Sequence, residues 1–142
     1  MNKARVLFLC TTNSARSQMA EAFLRTYAGD RYEAHSAGVE PKEMHPLTGS
    51  VMDEVGIDIS GQRSKSLRDY MGRVHFGYLI TVCREAEESC PSTFPGIARR
   101  LHWDIEDPVA FVGSEDEKLN KFREIRDIVR RRVNDWVDSQ SA

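Results

Sequence analysis

Residues 6–17 read Val6-Leu7-Phe8-Leu9-Cys10-Thr11-Thr12-Asn13-Ser14-Ala15-Arg16-Ser17. The short apolar run predicts a buried β-strand that ends on a cysteine, and helical periodicity begins at Ser17 after a short polar loop. A loop that leads into a helix N-terminus offers backbone N–H donors and the positive end of the helix dipole, which together bind oxyanions. This field and the guanidinium of Arg16 are expected to favour the thiolate form of Cys10, which is the nucleophilic form. The stretch therefore predicts both an oxyanion-binding loop and an attacking sulfur.

The remainder of the chain alternates predicted strands with predicted helices. Strands are predicted at residues 4–9, 32–37, 77–82 and 99–103, and helices at residues 17–28, 45–56, 67–71 and 115–137. We expect loops at residues 83–95, with at most one helical turn, and at residues 104–113, and a frayed tail at residues 138–142. This alternation predicts an α/β fold of three layers, in which helices cover both faces of a four-stranded parallel sheet.

Length and composition indicate one soluble globular domain over residues 1–142. The chain has 40% hydrophobic and 30% charged residues and a formal net charge of -2, so no general attraction to nucleic acid or to anionic membranes is expected. No apolar run approaches the roughly 18–20 residues of a membrane span, and no signal-peptide pattern precedes the first strand. We therefore expect a cytoplasmic protein, and nothing in the sequence demands more than a monomer.

Three cysteines in a protein that is not exported argue against a structural disulfide framework, and leave reactive, metal-binding and buried core thiols open. The spacing of Cys10, Cys83 and Cys90 matches no zinc motif, so no metal site is predicted. A regular helix would hold Cys83 and Cys90 about 10 Å apart, whereas a disulfide requires a Cα separation of roughly 4.4–6.8 Å. A disulfide between these two residues would therefore require the segment to change conformation.

Reactive residues follow the predicted strands at their carboxyl ends, where open parallel sheets bind ligands. Cys10 and Cys83 follow two strands, and the loop that contains Asp107 follows a third. The proline after Asp107 restricts this aspartate to extended conformations. A carboxylic acid held over a bound oxyanion could protonate a leaving oxygen, and Asp107 is predicted to do so. Asp104 and Glu106 lie close by in the sequence and compete for the same role.

The motif Cys-(x)5-Arg-Ser after an N-terminal strand resembles that of the low-molecular-weight phosphotyrosine phosphatase family, which also contains arsenate reductases that use a cascade of cysteines. The run from Cys83 to Cys90, followed by His102-Trp103 and Asp107-Pro108, resembles the redox segment of the thioredoxin-coupled reductases in that family. Phosphatase members do not require the cysteine pair, and they usually carry tyrosines after the Asp-Pro pair, where this chain has Val109-Ala110-Phe111. The resemblance therefore favours an arsenate reductase that serves in arsenic detoxification.

The resemblance implies a relay of three thiols that needs no bound cofactor. Cys10 would attack arsenate to form a covalent adduct, while Asp107 protonates the departing oxygen. Cys83 would then form a disulfide with Cys10 and release arsenite. Cys90 would attack Cys83, and thioredoxin would reduce the resulting Cys83–Cys90 disulfide by exchange. Each step depends on the thiolate fraction and on the access of the attacking cysteine.

The oxyanion-binding loop is predicted to hold arsenate, with phosphate and sulfate as competing anions. Arg16 would clamp two oxygens of the anion through its planar fork. Asn13 would brace the loop, and Ser17 would hydrogen-bond the thiolate or the anion. The substrate-binding residues are predicted to be Thr11, Thr12, Asn13, Ser14, Ala15, Arg16 and Ser17.

Other readings of the same residues remain open. A protein tyrosine phosphatase would use Cys10, Arg16 and Asp107, and an oxyanion-binding module would use the loop for recognition alone. Within the reductase hypothesis, glutaredoxin could replace thioredoxin as the electron donor.

A departure from the family pattern concerns a cation site. Some relatives bind potassium beside the loop through residues that match Asn13, Glu21, Ser36 and a carboxylate, and the position of the carboxylate is Lys65 here. An ammonium group cannot ligate a cation but could occupy its place, so potassium is not expected to activate this protein.

Overall fold

The computed structural model of the protein describes residues 3–89 and 96–140. Its elements, in chain order, are β1 (Ala4–Cys10), α1 (Arg16–Ala28), β2 (Tyr32–Gly38), α2 (Pro46–Asp53), a 3₁₀ turn (Leu67–Asp69), β3 (Phe76–Thr81), α3 (Arg84–Ser89), β4 (Ile97–His102) and α4 (Glu115–Gln140). Within the described ranges, no helix has the length and apolar composition needed to cross a membrane.

The four strands form one parallel sheet in the order β2-β1-β3-β4. The prediction of an α/β fold with a four-stranded parallel sheet and helices around it is confirmed. β1 lies between β2 and β3, which leave it on opposite sides, so the strand order reverses at β1. Such a switch point opens a crevice at the carboxyl ends of the strands, and Cys10 is the last residue of β1.

The core explains why β1 is continuously apolar. Val6, Leu7, Phe8 and Leu9 are fully buried, as expected for a central strand of a parallel sheet that is covered on both faces. The ring of Phe8 packs against Trp103, which follows β4, with ring centroids 5.8 Å apart. The start of the loop is thus fixed by the most buried element of the protein.

The C-terminal helix is longer than the sequence pattern indicates. Fraying was predicted from residue 138, but α4 continues to Gln140, and this part of the prediction is wrong. The hydroxyl of Tyr78 on β3 donates to Gln140 Oε1 at 3.1 Å, and the hydroxyl of Ser139 donates to the carbonyl of Trp136 at 2.7 Å. These contacts hold the last turn against the sheet, which a local pattern cannot reveal.

The prediction of a loop with at most one helical turn after Cys83 is also wrong in its first half. Residues Arg84–Ser89 form α3, whereas residues 90–95, which include Cys90, lie outside the described ranges. The Cys83 sulfur accepts the Ala86 N–H at 3.4 Å and so caps the first turn of this helix. β4 begins at Ile97, two residues earlier than predicted.

Candidate active site

The loop between β1 and α1 turns sharply at a single residue. Asn13 adopts a φ of 54°, in the left-handed region where asparagine is tolerated better than most residues other than glycine. Its side-chain amide donates to Ser17 Oγ at 2.7 Å, and its Oδ1 accepts the Lys65 N–H at 2.9 Å and the Gln18 amide at 3.0 Å. Asn13 is fully buried, and these bonds brace the loop from within.

The segment after β2 supports the loop from outside. The backbone N–H groups of residues 39, 40 and 42 donate to the carbonyls of Cys10, Thr11 and Thr12 at 3.2, 2.8 and 3.0 Å. These bonds hold the three carbonyls, and they require β2 to pass very close to the loop.

Gly38 makes that close approach possible. A Cβ atom at this position would lie 2.8 Å from the Thr11 carbonyl oxygen and 3.0 Å from the Asn13 nitrogen, both of them backbone atoms. Sequence reasoning identified Gly38 only as the end of a strand. A glycine at the carboxyl end of a strand beside a candidate anion loop was the available signal.

Arg16 connects this loop to the loop that contains Asp107. Its side chain is buried; Nη1 donates to the carbonyl of Ile105 at 2.8 Å, and Nη2 lies 3.6 Å from Asp107 Oδ2. Within the described part of the chain, Arg16 Nε is buried without a hydrogen-bond partner. The guanidinium is thus held in place by two groups while one of its N–H donors is left available to a bound oxyanion.

The two competing carboxylates are paired elsewhere. Asp104 Oδ2 lies 3.2 Å from Arg84 Nη2, and Glu106 Oε2 lies 3.2 Å from Lys121 Nζ. Asp107 pairs with Arg16, and its Oδ1 accepts the N–H of Val109 at 2.9 Å, which fixes the carboxylate at the turn. The geometry therefore favours Asp107 among the three candidates.

A cleft of about 210 Å³ opens beside Arg16. Its lining is mostly charged, with two arginines, Arg16 and Arg84, and four carboxylates, Glu85, Asp104, Glu106 and Asp107. Because carboxylates outnumber arginines there, the loop and Arg16, rather than the cleft as a whole, are the candidate anion site.

Cys83 lies against Cys10 although 73 positions separate the two residues in the sequence. The two thiols lie close enough to shift each other's pKa, and the hydroxyl of Thr11 lies 3.2 Å from Cys83 Sγ. Hydrogen bonds from Cys10, Thr11 and the Ala86 N–H lower the pKa of Cys83 to about 6. The pKa of Cys10 is raised well above its usual range, chiefly by its hydrogen bond to Cys83 and by burial.

The loop field alone therefore does not set the protonation of Cys10 in this geometry. Arg16 does lower the pKa of Cys10, but the hydrogen bond to Cys83 and burial outweigh it. Hydrogen bonds favour the thiolate of Cys83, so the two cysteines titrate as a pair that shares one negative charge. The hydroxyl of Thr11, a predicted substrate-binding residue, contacts Cys83.

The structure brings together most of the predicted site residues. Cys10, the loop, Arg16, Asp107 and Cys83 meet at the carboxyl edge of the sheet. Ser17 is fully buried behind the loop and accepts the Asn13 amide, while Thr12 and Ser14 bond to each other at 2.7 Å. Cys90 lies outside the described residues. Sequence reasoning missed Gly38 and the anchoring carbonyl of Ile105, and no sequence signal marks a carbonyl.

The ammonium of Lys65 occupies a nearly enclosed position behind the loop. Its Nζ lies 3.1 Å from Glu21 Oε1, 3.3 Å from Ser36 Oγ and 3.1 Å from the carbonyl of Arg63. The Glu21 side chain is only 4% exposed, so its charge is balanced within the protein, by Lys65 at Oε1 and by Arg25 at Oε2, rather than by solvent. As the sequence predicts, an internal cation lies among Glu21 and Ser36, which match the potassium ligands of some relatives.

Arsenate reduction by the unmodified protein is expected to proceed at the same rate in sodium and potassium buffers of equal ionic strength, because the Lys65 ammonium already neutralises Glu21. Initial rates in the two buffers measure this. The matched variant Lys65→Asp should gain a potassium dependence, because it replaces the ammonium by a carboxylate. A large potassium stimulation of the unmodified protein would contradict the prediction.

The sequence profile of the low-molecular-weight phosphotyrosine protein phosphatases matches residues 5–141. The chain belongs to this family. The arsenate reductase of Halalkalibacterium halodurans, a relative, is 37% identical over 140 residues, which cover 98% of this chain and 99% of that protein. The family resemblance predicted from the Cys-(x)5-Arg-Ser motif is thus confirmed.

Solved structures of this family include arsenate reductases with the same fold. An arsenate reductase in the phosphate-binding state has a TM-score of 0.79 at 31% identity, covering 96% of this chain and 98% of that chain. The thioredoxin-dependent arsenate reductase of Corynebacterium glutamicum has a TM-score of 0.71 at 32% identity, covering 96% of this chain and 61% of that longer chain.

Proposed function

We propose that this protein is an arsenate reductase that resolves a Cys10 adduct through Cys83 and Cys90 and is recycled by thioredoxin. The observation that carries the proposal is the proximity of Cys83 to Cys10, whose thiols lie close enough to shift each other's pKa. A hydrolase attacks its covalent intermediate with water and has no use for a second thiol against its nucleophile. Relatives named arsenate reductases, one of them thioredoxin-dependent, support the same reaction.

The loop and Arg16 provide the substrate site. A loop that precedes a helix N-terminus attracts a tetrahedral anion, and the Arg16 Nε donor is available to one of its oxygens. The Cys10 thiolate forms a bond to arsenic while one oxygen departs. Asp107 donates the proton with which that oxygen leaves as water.

The two-electron reduction takes place in the second step. The Cys83 thiolate attacks Cys10 Sγ, and the sulfur–sulfur bond forms as the sulfur–arsenic bond breaks. The bonding pair stays on arsenic, which leaves as arsenite. The Cys90 thiolate then attacks Cys83 Sγ and displaces the Cys10 thiolate, and the dithiol of thioredoxin reduces the Cys83–Cys90 disulfide by exchange.

The first attack requires a proton to leave Cys10. Cys10 and Cys83 titrate as a pair, and one negative charge is shared between two sulfurs joined by a hydrogen bond. Transfer of the Cys10 proton to Cys83 along this bond generates the attacking thiolate beside Arg16. Cys83 loses the proton again before its own attack, and the Thr11 hydroxyl and the Ala86 N–H still favour its thiolate when Cys10 carries arsenic.

Replacement of Cys83 by serine is expected to lower the pKa of Cys10, because the hydrogen bond to Cys83 is the largest cause that raises it. The thiolate fraction of Cys10 at neutral pH then increases, and alkylation by iodoacetamide becomes faster. The alkylation rate of Cys10, followed by peptide mass spectrometry across a pH series, measures the change. An unchanged or higher midpoint would show that Cys83 does not control the protonation of Cys10.

Mass spectrometry of the protein after one arsenate turnover without a reductant tests the proposed function. We expect one equivalent of arsenite, the loss of two hydrogens from the protein, a Cys83–Cys90 disulfide and a free Cys10. Arsenite release without any disulfide, or a disulfide between other residues, would overturn the relay.

A protein tyrosine phosphatase is the second candidate, because Cys10, Arg16 and Asp107 would also serve that reaction. The position of the Cys83 thiol against Cys10, which hydrolysis does not use, disfavours it. Hydrolysis of an aryl phosphate that exceeds arsenate reduction in kcat/KM would make the phosphatase the main activity.

A further inference from the structure

The proposed relay requires α3 to open. Residues Arg84–Ser89 between the two cysteines are helical, and a helix continued over the seven steps from position 83 to position 90 would separate their Cα atoms by about 10 Å. A disulfide needs a Cα separation of roughly 4.4–6.8 Å. A helix this short is not stable in isolation, so contacts with the rest of the protein determine how easily it opens.

A carboxylate on the inner side of α3 provides the first of these contacts. Glu87 Oε2 accepts the hydroxyl hydrogen of Thr81, the last residue of β3, at 2.5 Å. His102, the last residue of β4, lies with Nδ1 2.8 Å from the same hydroxyl oxygen. With the Thr81 hydroxyl donating to the carboxylate, the tautomer of His102 that carries its hydrogen on Nδ1 can donate to the same hydroxyl oxygen.

Arg100 on β4 provides the second contact, and it acts on the helix backbone. Its Nη2 donates to the carbonyl oxygen of Glu87 at 3.0 Å and lies 3.5 Å from Glu87 Oε2. The last carbonyls of a helix have no partner inside the helix and carry the negative end of its dipole. A guanidinium that binds one of these carbonyls therefore stabilises the C-terminal end of α3 in its helical form.

We propose that Glu87, Thr81, Arg100 and His102 form a latch that holds α3 helical and thereby shifts the Cys83–Cys90 pair toward its dithiol form. The inference rests on the proposed relay. Glu87 is a positioning residue in it, because it touches neither the substrate nor a reacting sulfur. The α3 latch stabilises the reduced protein, whose two cysteines are separated by an intact helix, and has to release before the disulfide can form.

The step that the latch opposes is the transfer of the disulfide. The Cys90 thiolate attacks Cys83 Sγ, the Cys83–Cys90 bond forms, and the Cys10–Cys83 bond breaks with its electron pair on Cys10. No external oxidant is needed, because arsenate has already accepted the two electrons. In the return direction a dithiol supplies two electrons and two protons and the helix forms again.

The reduction potential of the Cys83–Cys90 couple in Glu87→Ala tests the latch. Protein equilibrated in dithiol–disulfide buffers at fixed pH is alkylated and analysed by mass spectrometry. The equilibrium constant for disulfide formation is expected to rise about tenfold, which lowers the potential by about 30 mV for this two-electron couple. The arsenate-driven conversion of the Cys10–Cys83 disulfide into the Cys83–Cys90 disulfide should also become faster.

Glu88→Ala is the matched control, because Glu88 is the exposed neighbour on the same helix. Both replacements remove one negative charge near the end of α3 and introduce the same residue, so only the loss of the latch distinguishes them. Its potential should match that of the wild type. Glu87→Gln should give an intermediate value, because an amide oxygen can still accept from Thr81 but carries no charge for Arg100.

The outcomes separate the latch from the relay. If the wild type forms the Cys83–Cys90 disulfide after arsenate and all variants have the same potential, the latch is wrong and the relay stands. If the wild type forms no such disulfide after arsenate, the proposed function is wrong. The potentials measured in the dithiol–disulfide buffers still test the latch, and equal potentials in all variants would reject it. Formation of the Cys10–Cys83 disulfide at wild-type rate in a Cys90→Ser background confirms that Glu87→Ala is folded.

Discussion

Arsenate turnover is expected to fall more than about 100-fold when either Cys83 or Cys90 is replaced by serine, because a hydroxyl cannot take part in thiol–disulfide exchange. The two variants should stop at different points. Cys83→Ser retains the arsenic adduct on Cys10, since no sulfur is present to displace arsenite. Cys90→Ser releases one equivalent of arsenite and accumulates the Cys10–Cys83 disulfide. Coupled assays with thioredoxin measure the turnover, and intact-protein mass spectrometry identifies the accumulated species.

Hydrolysis of an aryl phosphate provides the internal control for these two variants. It needs only Cys10, Arg16 and Asp107, all of which both variants keep, so activity toward an aryl phosphate is expected to survive in each. Multiple turnovers of arsenate by both variants would show that the intermediate is resolved by water or by an external thiol. Loss of both activities together would indicate instead that the serine had disturbed the loop.

Replacement of Arg16 by lysine is expected to lower kcat/KM about 10²–10³-fold for arsenate and for an aryl phosphate alike. Lysine keeps the positive charge, but its single ammonium cannot bind Ile105, face Asp107 and present a further donor to the anion at the same time. Because the same guanidinium holds the Asp107 loop, the variant loses both anion binding and the position of the acid. Steady-state kinetics on the two substrates measure the loss.

Arg25→Lys is the matched control, because Arg25 lies on the same helix, is exposed, and donates to Gln62 and Glu21, beside which a lysine keeps the positive charge. Its kinetic constants should stay close to those of the wild type. An Arg16→Lys variant with nearly unchanged kcat/KM would show that a positive charge is sufficient and that the planar fork of Arg16 has no special role.

The sequence predicted the elements that depend on local contacts or that show a periodic pattern of apolar residues. The apolar run of β1, the Asn13 turn and the entry into α1 follow one another within a few residues, and the parallel sheet follows from the alternation of elements. The convergence of Cys10, Cys83 and Asp107 on one edge could also be predicted, since the carboxyl ends of parallel strands must meet there.

The features that the sequence did not predict depend on contacts between distant residues. Helix α3 was predicted as a loop because its stability comes from contacts with Thr81 on β3 and Arg100 on β4. The charge distribution between Cys10 and Cys83 depends on a hydrogen bond across 73 positions, which no spacing reveals. Gly38 was missed for the same reason, since its neighbour is the backbone of the loop rather than the residues beside it in sequence.

One sulfur atom, Cys83 Sγ, both accepts the Ala86 N–H at the start of α3 and forms the disulfides of the proposed relay. In the proposed relay, oxidation removes the negative charge with which this sulfur caps the helix. The first turn of α3 is therefore expected to loosen when the protein is oxidised. A reductase that recognises only the unwound segment would bind the oxidised enzyme and not the reduced enzyme. The reduced form would then not compete with the oxidised form for the electron donor.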